Sequence, residues 1–282
     1  MATDLWQTSL KATEQALISG ALLPIETELE EIHEGPLRYQ IRVLNNLQRK
    51  QNDDRLKSAA NRSHNPFLPY DPRLYVADIG RKHLCLLNKF NVIDNHLLIV
   101  TKAFESQSDL LNLNDFHASV LGLGQIDGLV FFNGGQIAGA SQPHKHLQLI
   151  PLSAEQLPLS EQLQTFSSDV AINTKLPFDN RGVRVPDNLF DTPVQAAGWL
   201  TIHYQKLLNQ TKVKLNGTAA FTGYNLLLTR EWLMLVPRRK EAVAGISFNA
   251  LAFCGSILVK NREQRDQLIE IGVSRALHEI TE

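Results

Sequence analysis

One stretch of the sequence indicates the fold most clearly: Asn133-Gly-Gly-Gln-Ile-Ala-Gly-Ala-Ser-Gln-Pro-His-Lys-His-Leu-Gln-Leu-Ile-Pro151. Its first half is a loop of small residues, and its second half, from His144 onwards, has the apolar pattern of a strand. Because side chains alternate across a strand, we expect His144, His146 and Gln148 to share one face. Glycine has no Cβ, so the preceding loop can let a phosphate approach the backbone closely.

The residues alone leave three interpretations of His144-Lys-His146 open. The histidines can be structural, satisfied by hydrogen bonds. They can also bind a metal ion, although the chain has no Cys-x-x-Cys and further ligands would have to come from remote positions. In the third interpretation, a neutral imidazole attacks phosphorus. Uncharged donors on Ser141, Gln142 and Gln148 suit the transition state of phosphoryl transfer and favour this last chemistry.

The segment Gly139–Gln148 resembles the His-x-His-x-Gln signature of the histidine-triad superfamily. More narrowly, the chain resembles the ATP adenylyltransferases, also called diadenosine tetraphosphate (Ap4A) phosphorylases. Further similar blocks, in the order of that family, are 65–72, 87–101 and 224–238. The resemblance implies an α+β fold, in which helices flank a histidine-triad-like antiparallel sheet. It also implies a long irregular insertion and a C-terminal extension of a hairpin and a helix.

The same resemblance implies a two-step transfer. His146 would attack an α-phosphorus of a dinucleoside polyphosphate and form an adenylyl-histidine, which inorganic phosphate then attacks to release ADP. With Ap4A the products are ATP and ADP, and the reaction is reversible. His144 would orient the site. Gln148 stands where hydrolases of the superfamily carry a third histidine, and because an amide cannot shuttle a proton it favours phosphate over water as the acceptor.

The resemblance also implies nucleotide contacts in other parts of the chain. Asn88 and Lys89 would contact the base and ribose, and Lys50 would lie on a loop over the site. Arg238 would hold the polyphosphate, since a guanidinium can bind phosphate oxygens in pairs. The remaining expected substrate contacts are Asn133, Gly139, Ala140, Ser141, Gln142, Gln148, Thr229 and Met234.

Other functions are compatible with the signature. The galactose-1-phosphate uridylyltransferases share His-x-His-x-Gln, but their zinc-type cysteine cluster has no counterpart in a chain with two cysteines. A dinucleoside polyphosphate hydrolase of the same superfamily is another alternative. A dinucleotide-binding sensor that has lost the chemistry is the non-enzymatic one. Intact His146 and Gln148 favour an enzyme.

Three regions are expected along the chain: a catalytic region over 1–152, an irregular connector or lid over 153–193, and a C-terminal region over 194–282 packed with the first. The residue patterns predict helices and strands. The predicted helices are 3–20, 109–124, 194–211 and 262–280. The predicted strands are 38–44, 74–79, 83–90, 96–101, 128–133, 144–150, 223–229 and 232–237.

Composition limits the partners. The 282 residues are 43% hydrophobic and 20% charged, which is ordinary for a globular protein, and the net charge of −1 offers no bulk attraction to nucleic acid or an acidic membrane. Neither a secretory signal nor an apolar run of roughly 20 residues occurs, so we expect a cytoplasmic protein. The expected ligands are Ap4A, ATP, ADP and phosphate, with Mg²⁺ accompanying the polyphosphate and no tightly bound cofactor. The oligomeric state stays open.

Overall fold

A computed structural model of the chain describes residues 4–44, 65–211 and 223–282. Its helices are α1 (Leu5–Ile18), α2 (Leu113–Leu123), α3 (Ser160–Leu163), α4 (Pro193–Gln210), α5 (Arg262–Ile271) and α6 (Val273–Glu279). Its strands are β1 (Thr27–Glu34), β2 (Leu37–Leu44), β3 (Tyr75–Ile79), β4 (His83–Leu87), β5 (Leu97–Thr101), β6 (Leu129–Gly134), β7 (His146–Ile150), β8 (Arg181–Arg184), β9 (Tyr224–Leu228), β10 (Trp232–Pro237), β11 (Ala242–Val243), β12 (Ile246–Ser247) and β13 (Ser256–Val259).

The main sheet has eight strands in the order β3-β4-β5-β7-β6-β9-β10-β8, and each neighbouring pair is antiparallel. A second sheet has the order β1-β2-β13. The predicted α+β class, with helices flanking an antiparallel sheet, is confirmed. The strand that carries His146 lies in the interior of the sheet, where hydrogen bonds on both sides hold its backbone.

The two faces of the main sheet are covered differently. On one face, Leu147 and Leu149 of β7 join a core that includes residues of α1, α2 and α4. On the other face, a second core covers β6, β9 and β10 beneath the small sheet and the C-terminal helices. Over β4, β5 and β7 that second core does not continue, and a cavity lies there instead. His146 and Gln148 therefore lie on the partly open face of an otherwise well-packed sheet.

Of the strands in the small sheet, the sequence predicted β2 but not β1. In β2, Tyr39, Ile41 and Val43 are buried and alternate with half-buried residues, as predicted. Its neighbour β1 reads Thr-Glu-Leu-Glu-Glu-Ile-His-Glu and is mostly exposed or half-buried. The sequence did not predict β1, because a strand on the edge of a sheet can be acidic and still pair through its backbone.

Three predictions about the elements near the site and the C-terminus differ from the structure. The strand expected from His144 begins at His146, and His144 forms only an isolated bridge with Ser106. The expected C-terminal helix divides into two at Gly272, whose φ of 88° is incompatible with continuing a helix. Residues 153–193 add β8 to the edge of the main sheet. None of them lines the cavity, so the lid interpretation of this segment has no support in the described structure.

Within the described ranges, no helix is long and apolar enough to cross a membrane.

Candidate active site

A cavity of about 760 Å³ lies over β4, β5 and β7. Eight of the residues predicted from the sequence line it: Asn88, Lys89, Asn133, Gly139, Ser141, Gln142, His146 and Gln148. His96 and Phe67 line it as well. Among these residues, Phe67 and Gln148 are 81 positions apart, so the fold brings together residues that are distant in the chain.

His146 is held in one ring orientation. Its Nδ1 lies 2.8 Å from the carbonyl oxygen of His144, so Nδ1 carries the proton and donates it. Phe67 packs against the ring, with 5.3 Å between the ring centroids. Nε2 has no hydrogen-bond partner among the described residues and keeps its lone pair beside the cavity. Burial lowers the pKa of His146 to about 4, so the ring is neutral at physiological pH.

The His144 ring is hydrogen-bonded to other groups of the protein. Asn65 Nδ2 donates to His144 Nδ1 at 2.9 Å, and His144 Nε2 donates to the carbonyl oxygen of Thr101 at 2.8 Å. Both ring nitrogens are therefore used within the protein, and the residue does not line the cavity. In the parts of the chain that the structure describes, no three His, Cys, Asp or Glu side chains group to hold a metal ion. The metal interpretation of the two histidines is therefore not supported.

Gln148 is linked to two further polar side chains. Its Oε1 lies 2.9 Å from His96 Nε2, and His96 Nδ1 lies 3.2 Å from Asn88 Nδ2. Asn88 was expected to contact the nucleotide; it lines the cavity and also contacts His96. The sequence alone did not reveal His96 as a site residue, because a single histidine next to an apolar strand gives no signal by itself. Burial lowers the pKa of His96 to about 4.

Gln107 is a site residue that the sequence did not reveal. Pairing between β6 and β7 ends at Phe131 and Gln148, so the two strands separate beside His146. The buried amide of Gln107 fills this gap: its Oε1 accepts from His146 N at 2.8 Å, and its Nε2 donates to the carbonyl oxygen of Asn133 at 2.9 Å. Gln107 therefore replaces the missing strand pairing and fixes the backbone of His146. A glutamine in a polar loop has no distinctive sequence pattern.

The glycine loop forms another wall of the cavity. Gly139 has a φ of 85°, and a Cβ at this position would lie 2.6 Å from the carbonyl oxygen of Phe248. Only glycine fits such a backbone without strain. Asn133 Oδ1 accepts from Asn225 Nδ2 at 2.8 Å, which leaves the Asn133 amide nitrogen beside the cavity. Ala140 does not line the cavity, and its N–H donates to the carbonyl oxygen of Gly135 at 3.3 Å.

The described structure does not support the predicted contact of Arg238 with polyphosphate, because Arg238 does not line the cavity. Arg238 is fully buried, and its terminal nitrogens donate to Asn225 Oδ1 at 2.8 Å and to the carbonyl oxygens of Phe248, Lys240 and Glu241. Burial lowers its pKa to about 10, so it stays charged at neutral pH. The family resemblance implied that Arg238 binds substrate, but its guanidinium group instead holds backbone segments together.

Thr229 and Met234 also lie away from the cavity. Thr229 Oγ1 accepts from the backbone nitrogens of Glu231 and Trp232 at 3.1 and 3.2 Å, so it closes the turn between β9 and β10. Met234 is buried in the second core and lies three strands away from Gln148 across the sheet, a separation of roughly 14 Å. Neither residue lines this cavity, so the described structure does not support their predicted contact with the substrate. Lys50 lies outside the described residues.

Two family models match the chain. The model of the Ap4A phosphorylase N-terminal domain matches residues 1–165, and that of the ATP adenylyltransferase C-terminal domain matches residues 174–281. Among solved structures, the chain is similar to yeast Ap4A phosphorylase Apa2, with a TM-score of 0.77 and 23% identity over 98% of this chain and 97% of that one. At this identity the likeness shows that the two chains share a fold.

Two relatives from Saccharomyces cerevisiae are similar in sequence. Diadenosine 5',5'''-P1,P4-tetraphosphate phosphorylase 2 is 29% identical over 246 residues, which cover 77% of this chain and 75% of the relative. Protein APA1 is 31% identical over 211 residues, covering 68% and 65%. The first family model alone covers more than half of the 282 residues. On this evidence, the chain belongs to the Ap4A phosphorylase family.

Proposed function

We propose that this chain is an ATP adenylyltransferase that phosphorolyses Ap4A to ATP and ADP through an adenylyl-histidine. One observation carries the proposal: His146 presents an unprotonated nitrogen to a cavity, and its pKa of about 4 keeps that nitrogen unprotonated at neutral pH. Family membership and the name of one yeast relative, diadenosine tetraphosphate phosphorylase 2, support the same reaction. Yeast Apa2, which shares the fold, has been crystallised with AMP and with Ap4A.

In the first step, Nε2 of His146 attacks an α-phosphorus of Ap4A. The N–P bond forms, the bond to the bridging oxygen breaks, and ATP leaves with the electron pair. The ring gains positive charge as it attacks. That charge is shared with Nδ1–H, whose bond to the carbonyl oxygen of His144 strengthens accordingly. In the second step, an oxygen of inorganic phosphate attacks the same phosphorus, the N–P bond breaks, and ADP is released.

Neutral donors hold the phosphate oxygens. The amides of Gln148, Gln142 and Asn133 and the hydroxyl of Ser141 line the cavity beside His146. These groups stabilise charge that spreads over the phosphoryl oxygens without themselves titrating. Neither the ATP leaving group nor the attacking phosphate needs a proton transferred by the enzyme, which is consistent with an amide at position 148.

A divalent cation, Mg²⁺, is proposed to accompany the polyphosphate. Asp71 is the sole carboxylate among the cavity-lining residues that the structure describes. Mg²⁺ commonly binds through substrate phosphates, water and one or two carboxylates. The residues present therefore fit an ion that arrives with the nucleotide, where it would neutralise phosphate charge, better than a resident metal centre.

Product analysis tests the reaction. The protein is incubated with Ap4A, with and without ³²P-labelled inorganic phosphate. We expect equal amounts of ATP and ADP only when phosphate is present, and the label should appear in ADP. ATP and AMP formed without phosphate would indicate a hydrolase. Binding without turnover in either case would indicate a sensor.

The His146→Ala variant is the control for this assay. It should lose turnover while keeping Ap4A affinity within about tenfold, or ~1.4 kcal/mol.

A further inference from the structure

The hydrogen bonds of Asn88, His96 and Gln148 allow one consistent assignment of protons. Nδ2 of Asn88 can only donate, so His96 Nδ1, 3.2 Å away, must accept. A neutral imidazole with an acceptor at Nδ1 carries its proton on Nε2. That proton is donated to Gln148 Oε1 at 2.9 Å. The carbonyl end of the Gln148 amide is thereby occupied, and its NH₂ end is left for the cavity.

We propose that His96 is a positioning residue that acts through Gln148, holding its amide so that NH₂ rather than the carbonyl oxygen faces the transferred phosphoryl group. This inference rests on the proposed adenylyl transfer. An amide is nearly symmetric in shape and can rotate by half a turn with little steric change. Rotation would point a carbonyl oxygen at phosphate oxygens and replace an attraction by a repulsion. The side chain that fixes the amide therefore affects the rate.

The surroundings of His96 support a neutral, oriented ring. The side chain is buried, and it packs beside Phe131 with 5.8 Å between ring centroids. Its pKa of about 4 keeps it neutral at physiological pH, mainly because burial disfavours the charged form. The opposite tautomer would place Nδ1–H against the NH₂ of Asn88. Asn88 thus sets the tautomer of His96, and His96 sets the orientation of Gln148.

A double-mutant cycle tests whether His96 acts through Gln148. The measured quantity is the single-turnover rate of adenylyl-enzyme formation from Ap4A in the absence of phosphate. His96→Phe keeps an aromatic ring but removes the donor, and we expect it to lower the rate at least tenfold. In a Gln148→Ala background the same change should alter the rate less than twofold, because the group that His96 orients is gone. An equal factor in both backgrounds would overturn the proposal.

Two further measurements exclude a merely structural role. His96→Gln restores a donor and should recover part of the rate lost in His96→Phe; no recovery in a folded variant would count against the proposal. Independently, ¹⁵N chemical shifts of the labelled His96 ring should report the Nε2–H tautomer at neutral pH. The Nδ1–H tautomer would overturn the proposal. A wild-type protein that forms no adenylyl-enzyme would instead refute the proposed function, and the tautomer would still be measurable.

Discussion

At the scale of single residues, the proposed reactivity of His146 depends on its surroundings. One ring nitrogen is bonded to a backbone carbonyl, and the ring packs against Phe67. These contacts select one tautomer and one orientation before substrate arrives. A nucleophile that is already oriented loses less entropy on reaching the transition state. The same burial that positions the ring also suppresses its protonation.

The lowered pKa predicts an unusual pH profile. Single-turnover adenylylation by Ap4A without phosphate should stay nearly constant from about pH 8 to pH 5.5 and fall as the pH approaches 4, where His146 becomes protonated. Ap4A suits this measurement because it has no terminal phosphate group that titrates in that range. A fall with a midpoint near 6.5, the ordinary value for histidine, would show that burial does not shift this nitrogen.

At the scale of elements, β7 and the residue before it place a cavity-facing histidine on one face of the sheet and a buried lysine on the other. His146, the first residue of β7, faces the cavity, while Lys145, the residue before it, points to the opposite face, where it is almost completely buried. There Lys145 Nζ pairs with Glu105 at 2.7 Å and with Asp115 at 3.4 Å, and Asp115 also accepts from His83 Nε2 at 2.8 Å. Buried charges are costly unless each has a partner. The ion network therefore ties β7 to the start of α2.

Removing Asp115 should be strongly destabilising. In Asp115→Ala, Lys145 keeps only Glu105 as a charged partner, and α2 loses the acceptor for Asn112 N in its capping box. We expect the free energy of unfolding to fall by about 3 kcal/mol, measured by urea denaturation. Asp78→Ala is the matched control, since its pair with Lys102 is 38–59% exposed. That change should cost less than about 1 kcal/mol. Equal losses would contradict a special role for the buried network.

The glycine loop predicts a second effect at this scale. Gly139→Ala would place a methyl group 2.6 Å from the carbonyl oxygen of Phe248 on a backbone with a φ of 85°. To avoid this contact the glycine loop must move, and the cavity wall moves with it. We expect kcat/KM for Ap4A, measured by steady-state kinetics, to fall more than tenfold.

Gly198→Ala is the control for that prediction. An added Cβ meets nothing within 4 Å inside α4, so activity should be unchanged. Stability should rise by about 0.5–1 kcal/mol, because alanine favours a helix. Similar kinetics in the two variants would show that the loop conformation does not matter.

At the scale of the whole molecule, one sheet spans both halves of the chain, and only part of one face is left open. Strands from the N-terminal part, β3 to β7, continue directly into β9, β10 and β8. The second core covers the far end of that face and confines the cavity to the neighbourhood of His146. Two features therefore define the site: the C-terminal region covers the rest of this sheet face, and β7 places His146 and Gln148 in the part that stays open.

The sequence predicted those helices and strands whose apolar residues form a clear local pattern. The strand around His146 and the helix α2 have a periodic apolar pattern, and β4 and β5 are short continuous apolar runs. Each of these elements is present. Arg238 shows where inference from the sequence is insufficient. It was expected to bind a phosphate ligand, but its guanidinium group donates to Asn225 and Phe248 inside the protein. His96 and Gln107 show the converse. Their importance comes from neighbours that are distant in the sequence, which no local pattern contains.

The most direct test of the central claim is the mass of the intact protein after incubation with Ap4A in the absence of phosphate. We predict a gain of one adenylyl group, mapped to His146 by peptide sequencing, stable to base and labile to acid. Phosphate added afterwards should remove it and yield ADP. An adduct on any other residue, an adduct that persists in His146→Ala, or no adduct in a protein that still phosphorolyses Ap4A would contradict His146 as the nucleophile.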